Sequence, residues 1–273
     1  MSGGGHRALR VALGEYDIGW HDPEGSLARA RELVGQAARA GARLVVLPEM
    51  VTTGFTMDVT QATPLAGGHS ARLGAIAAEA GVWLIASVAA TEEVPLGTSG
   101  GAGGAGPGRA VNAALVIDPA GLTVAVYRKQ KLFAFAGEQA HYSPGAGPVT
   151  VTIEGVRIAP LVCYDLRFPE LFRAVAREVD AFVLVANWPA ARRPHWDILT
   201  QARAIEDQAY VVAVNRIGTG GGIVYDGGSV AWDPWGEPAA ETRSPSGIRI
   251  VDLEPKRVAD VRRQYPFLAD LQL

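Results

Sequence analysis

Residues 161–170, LVCYDLRFPE, decide how the rest of the chain is read. An apolar run at 157–162 (RIAPLV) leads into them and reads as a buried strand. Cys163, the only cysteine in the chain, follows at once. Tyr164, Asp165 and Arg167 come next, then Pro169, which suits the first turn of a helix. A thiol where a strand opens beside a helix start is in a setting that lowers thiol pKa values. A lone cysteine in an apolar run is more commonly a small packing residue. The choice between the two rests on residues elsewhere.

Working outward, residues 149–153 and 157–162 read as a hairpin around Glu154-Gly155 that delivers Cys163. Residues 170–178 read as a helix and 181–186 (AFVLVA) as a strand ending at Asn187-Trp188-Pro189. A helix over 195–209 runs into a strand at 210–215, with further strands at 223–232 and 247–252 and a short helix after Glu254. Toward the N-terminus, 8–14, 43–47 and 82–89 read as strands. Residues 25–40 place Leu27, Ala30, Leu33, Val34 and Ala37 at helical spacing, with Gly41 as C-cap. A second helix spans 70–80. Residues 112–118 and 122–127 flank Pro119-Ala120-Gly121 as a hairpin. The segment 97–108 (GTSGGAGGAGPG) reads as a flexible surface excursion. Alternating strands and helices, without a repeat or a break in composition, predict one mixed α/β domain over 1–273, with its core at about 7–267 and helices covering sheet faces.

Composition excludes several classes of function. The chain has 273 residues, 48% hydrophobic and 19% charged, with mean hydropathy +0.12. That is ample for a core. A net charge of −3 favours neither nucleic acid nor an anionic membrane surface. No apolar run is long enough to span a membrane. The first residues lack the features of a signal peptide, and one cysteine forms no internal disulfide, so a cytoplasmic protein is expected. His6, His21, His69, His141 and His195 lack metal-ligand spacing, and the glycines at 218–222 lack the lysine of a phosphate loop. Neither metal nor other cofactor is expected.

Three polar residues share one kind of position. Glu49 follows the strand ending at Leu47, Lys129 follows the strand ending at Tyr127, and Cys163 follows the strand ending at Val162. Strand ends opening into loops are where α/β sheets carry their chemistry. Singly, Glu49 reads equally well as a turn cap and Lys129 as a solvated lysine. Together, a carboxylate, an ammonium and a thiol are a complete set for acyl transfer.

LPEM at 47–50, YRKQKLF at 127–133 and CYDLRFPE at 163–170 together resemble the nitrilase, or carbon–nitrogen hydrolase, superfamily. Residues 186–218, with YDGGSVAWDPWGEP after them, resemble its ω-amidase branch. The resemblance implies a four-layer α-β-β-α sandwich that pairs into a homodimer through helices. It implies a Cys163 nucleophile, a Glu49 general base, a Lys129 oxyanion stabiliser, and Glu138 as a second carboxylate that holds Lys129. The backbone N–H of Tyr164 would complete the oxyanion site. Lys131 stands where many relatives have histidine. Positions 127, 129 and 131 share a face if the strand continues, so only motif register selects Lys129, and Lys131 reads as a surface or neighbouring lysine. The implied reaction is hydrolysis of the distal amide of a small ω-amido acid such as 2-oxoglutaramate or succinamate. Its rivals are N-carbamoyl amidohydrolysis, hydrolysis of a deaminated peptide, and a catalytically silent binding subunit. A substrate carboxylate needs a partner. Arg192 and Arg193 are candidates, with solvated loop residues as the alternative. Phe133, Trp188 and Trp196 are candidate pocket walls. Arg203 and Glu206 read as a structural ion pair, and Asp165 and Arg167 as residues that shape the turn after Cys163.

Overall fold

A computed structural model of the chain describes residues 8–92, 110–240 and 248–271. The segment 97–108, read above as an excursion, lies outside the described residues.

The apolar runs assemble into two mixed sheets with parallel centres. Leu9–Gly14, Leu44–Val46 and Trp83–Thr91 are the parallel core of a seven-stranded sheet. Ile248–Leu253 pairs antiparallel on one side, and the hairpin Ala110–Ile117/Thr123–Arg128 extends the other. Val156–Val162, Ala181–Ala186 and Tyr210–Asn215 are the parallel core of a five-stranded sheet, edged by Val151–Ile153 and Val230–Trp232. Side chains alternate across a strand, so each strand of the first sheet serves two cores. Leu13, Val46, Ile85 and Val116 pack toward Ile158, Leu161 and Val183 of the second sheet. Their neighbours Ala12, Val45, Leu84 and Leu115 pack against the helices Pro23–Arg39 and Gly68–Ala80. On the far side, Phe172, Trp196 and Ala204, from the helices Pro169–Arg173 and Arg193–Asp207, join the core of the second sheet. The result is a helix–sheet–sheet–helix sandwich.

Two expected elements differ. The helix over 170–178 stops at Arg173 and continues as turns, through which Val175, Ala176 and Val179 bury on the way to the strand at 181. The strand over 223–232 is two strands, because Gly227 and Gly228 take φ of +73° and +85°, far from strand values. Val230–Trp232 joins the five-stranded sheet, while Ile223–Asp226 pairs with Ile217–Gly220 as a separate ribbon. That ribbon borders the site described next.

Candidate active site

Four strand ends meet at one place. Leu44–Val46 leads to Glu49, Thr123–Arg128 to Lys129, Val156–Val162 to Cys163, and Ala181–Ala186 to Asn187. The first two belong to one sheet and the last two to the other.

Glu49, Lys129 and Glu138 form a closed cluster, all within 1% of complete burial. Lys129 Nζ donates to Glu49 Oε1 at 3.1 Å and to both oxygens of Glu138 at 3.0 and 2.9 Å. It also lies 5.0 Å from the centre of the Phe55 ring. Burial alone would push the lysine pKa down, but Glu49 and Glu138 outweigh it and hold the ammonium charged. An ammonium has three donors. One serves Glu49 and one can be shared by the two Glu138 oxygens, leaving a third for the cavity that Lys129 lines. Glu138 opens the short helix Glu138–His141, and its Oε2 also accepts the Phe133 N–H at 2.6 Å.

Cys163 sits at φ +46°, a left-handed conformation that costs a non-glycine residue about 1–3 kcal/mol. The strain turns the thiol out of the strand line at the start of the 3-10 turn Cys163–Arg167. The first-turn N–H groups there have no partner within the turn. Sγ lies 3.9 Å from the Asn187 carbonyl. The lowered thiol pKa expected from the sequence is not found. Burial and the negative charge of Glu49 push it well above the usual value, and Lys129 offsets only part of this. The resting thiol therefore keeps its proton.

Asp165 locks this turn to the lysine segment. Its carboxylate accepts the Val162 N–H at 3.0 Å, the Lys131 N–H at 2.9 Å and the Tyr127 hydroxyl at 2.8 Å. Burial lifts its pKa to about 6 in spite of these donors. The strand ends at Arg128, so Lys131 does not share the face of Lys129. Lys131 Nζ turns outward to Glu170 at 3.0 Å and over the Phe168 ring at 4.7 Å. Of the two lysines, Lys129 lines the cavity that holds Cys163 and Lys131 does not.

A cavity of about 470 Å³ opens over Lys129, Cys163 and Asn187. Phe133, Tyr164, Trp188 and Arg192 line it, as the sequence reading expects. Arg193 does not. Its guanidinium binds Asp197 at 2.7 Å and Asp226 at 3.4 Å. Trp196 is also outside the lining; it is fully buried behind Trp188, its ring centroid 5.6 Å away, and donates to the Gly228 carbonyl. Arg203 and Glu206 are the expected ion pair, and Arg203 also holds the Leu166 carbonyl at 2.8 Å.

Two residues, Asn187 and Asn112, had no role in the sequence reading, and a third, Arg167, was read only as shaping the turn after Cys163. Arg167 lines the cavity, 5.0 Å from the centre of the Trp188 ring, with His195 Nδ1 at 3.0 Å. Asn187 clamps Glu49 from two sides: its N–H donates to Oε2 at 2.9 Å and its Nδ2 to the Glu49 carbonyl at 2.6 Å. Its position at a strand end was a usable signal. Asn112 donates to Glu49 Oε1 at 2.7 Å, and its signal was a lone amide inside the apolar run 110–117. Among the described residues, no group of three or more His, Cys, Asp or Glu is placed to hold a metal, and no helix is long and apolar enough to cross a membrane.

A buried Glu–Lys–Glu cluster beside a protonated thiol can take a proton, hold an oxyanion and supply a nucleophile in one cavity. Known proteins with this sequence pattern and fold can be set beside it. The carbon–nitrogen hydrolase family model matches residues 10–263. The omega-amidase YafV of Escherichia coli (strain K12) is 36% identical over 265 residues, covering 96% of both chains. The 2-oxoglutaramate amidase of Bacillus subtilis (strain 168) is 29% identical, over 94% of this chain and 95% of its own. The crystal structure of XC1258 from Xanthomonas campestris, a CN-hydrolase superfamily protein with an arsenic adduct in its active site, superposes with a TM-score of 0.85 at 32% identity, covering 97% and 98% of the two chains. The match runs through all four strand ends that build the site, and on that ground the chain belongs to the carbon–nitrogen hydrolase family.

Proposed function

We propose that this hydrolase releases ammonia from the distal carboxamide of a small ω-amido acid of the 2-oxoglutaramate or succinamate type. The observation that carries the reading is one cavity holding Cys163 and Lys129 together with two guanidiniums, Arg167 and Arg192, that meet no carboxylate among the described residues. Arginine without a carboxylate partner in an aromatic-lined cavity suits a substrate carboxylate. The likeness to an omega-amidase and a 2-oxoglutaramate amidase supports the same substrate class.

The steps follow from the resting site. The Cys163 sulfur attacks the amide carbon while its proton passes to Glu49. The C–S bond forms, and the carbonyl oxygen takes the negative charge, held by the free Lys129 donor and the Tyr164 N–H. Glu49 returns the proton to nitrogen, the C–N bond breaks, and ammonia leaves a thioester on Cys163. Water then attacks the thioester, giving a proton to Glu49 and, after collapse, an acid and the free thiol. Glu138 keeps Lys129 charged and placed throughout. The oxyanion appears in a site already built for it, so little reorganisation is needed.

The protein is also read as one domain over 1–273 that works in the cytoplasm as a homodimer. Exposed Ile198 and Ile205 on the outer helix Arg193–Asp207, with exposed Trp235 nearby, support a partner on that face.

Ammonia release from 2-oxoglutaramate, succinamate, an N-carbamoyl amino acid and a deaminated peptide, with intact-mass detection of an acyl adduct on Cys163, tests the reading. Turnover fastest on the first two, with an adduct that Cys163→Ala abolishes, is expected. No turnover and no adduct with any of them would favour the silent binding subunit. Faster turnover of the carbamoyl or peptide substrate would move the substrate class.

A further inference from the structure

Asn112 takes no part in the steps above, yet it touches three members of the catalytic cluster. It is fully buried on the strand Ala110–Ile117. Its carbonyl accepts the Lys129 N–H at 2.9 Å. Its Nδ2 lies 2.7 Å from Glu49 Oε1 and 3.4 Å from Glu138 Oε1. Its Oδ1 is 3.0 Å from the Ser87 hydroxyl. Ser87 is fully buried as well, and its oxygen accepts the Met50 backbone N–H at 2.8 Å.

The direction of this chain is set at both of its ends. A backbone N–H only donates, so Ser87 Oγ accepts there and its own hydrogen is free to point to Asn112. The carboxylates of Glu49 and Glu138 only accept, so the NH₂ is turned toward them and the amide oxygen faces the Ser87 hydroxyl. Glu49 Oε1 thus faces two groups that can only donate, the Asn112 amide and the Lys129 ammonium. A proton on Oε1 would point at hydrogens on both. Glu49 Oε2 receives only the Asn187 N–H and keeps a free lone pair.

We infer that Asn112 is a positioning residue: its amide, held between the Ser87 hydroxyl and the two carboxylates, closes Glu49 Oε1 to protons, so that the Cys163 proton is carried on Oε2. The inference rests on Glu49 being the base for Cys163, as proposed above. Oε2 is the oxygen held by Asn187, whose carbonyl also meets the thiol, so one residue touches both the proton donor and the oxygen that takes the proton. Charged or titratable groups packed around Asn112 are Glu49, Glu138 and Lys129, with Cys163 and Tyr142 beyond them.

The test uses stoichiometric alkylation of Cys163 by iodoacetamide on the full-length enzyme, followed by intact mass. This reaction needs the thiol and its base but no particular amide, so it stays informative even if the proposed substrates are not turned over. Asn112→Asp preserves shape and replaces the donor by an acceptor. It is expected to slow alkylation by about 100-fold. Ser87→Ala leaves Asn112 in place but removes the hydroxyl that holds its amide oxygen, with an expected loss of about tenfold and, where turnover is measured, a fall in kcat at constant KM. Ser87→Thr retains the hydroxyl and is expected to recover most of the rate. Alkylation within twofold of wild type in either Asn112→Asp or Ser87→Ala overturns the inference. So does equal slowing in Ser87→Ala and Ser87→Thr, because packing rather than hydrogen-bond direction would then set the rate.

Discussion

Behind the cavity wall, Glu49, Lys129, Glu138 and Asn112 are buried and hydrogen-bonded to one another. In the cavity itself, Arg167 and Arg192 lie against aromatic rings, 5.0 and 5.2 Å from the centroids of Trp188 and Phe133, and meet no carboxylate among the described residues. Both regions carry positive charge, but they treat it in opposite ways. The inner cation is neutralised twice over, so its position is determined before any substrate arrives. The outer cations are left to be neutralised by what binds. A group that stabilises a developing charge gains from being fixed in advance. A group that selects a ligand gains from being unpaired until then. The contrast teaches that the rate should depend on the inner region and affinity on the outer one.

The sharpest break in that contrast would come from Lys129→Ala. Loss of more than 1,000-fold in kcat is expected, since one oxyanion donor alone is worth about 100–1,000-fold. The variant also leaves two buried carboxylates without their cation, a change that costs roughly 3–5 kcal/mol of stability. Ammonia release and urea unfolding would show both effects. A variant with wild-type kcat would end the assignment of the inner region.

Arg167→Ala and Arg192→Ala address the outer region. Each should raise KM for a carboxylate-bearing amide by about 10–100-fold, the worth of a hydrogen bond to a charged group. KM for a neutral amide of similar length should barely move. Arg193→Ala, whose guanidinium is already engaged by Asp197 and Asp226, should leave both unchanged. Equal losses on charged and neutral amides would make the outer arginines structural.

Asp165 joins the two loops that carry Lys129 and Cys163, and it gives a pH signature. Its pKa is lifted from 3.8 to about 6 in the folded protein. Between about pH 4 and 6 the folded chain therefore holds a proton that the unfolded chain has lost, and stability from this group falls as pH rises through that window. Relative to Asp165→Asn, wild type should lose up to roughly 3 kcal/mol across it and then level off. Urea midpoints measured from about pH 4 to 8 check the sign; a difference that grows with pH would contradict it. The smallest effect belongs to Lys131→Ala. Its ammonium pairs with Glu170 on the surface, and activity should stay within about twofold.

Much of this molecule was legible in the linear chain. Apolar runs and glycine stops located the strands and helices because burial and backbone geometry are local properties. The positions of Glu49, Lys129 and Cys163 just past strand ends were equally local. The Arg203–Glu206 pair was legible for the same reason, its two residues lying three apart on one helix, whereas Glu138 was picked out only through the family resemblance. The split at Gly227-Gly228 was missed because apolar residues continue on both sides of it.

Other features were decided only when distant segments met. Lys129 is separated from Lys131 in role because the strand ends at Arg128 and the chain then turns outward. Arg167 replaced Arg193 in the cavity because Asp197 and Asp226 claim the latter. Asn112 and Asn187 reach Glu49 across 63 and 138 residues of sequence, and no local pattern records such a contact. The proton on Cys163 is the clearest case. The residues around it suggested a thiolate, but its ionisation follows the water excluded and the negative charge of Glu49, which belong to the other sheet and the assembled sandwich. The linear chain was enough to show which polar groups stand just past the strand ends and on which elements they lie. Tertiary structure decided their partners, their exposure and their protons, because desolvation and Coulomb interactions depend on distance in space and not on distance along the chain.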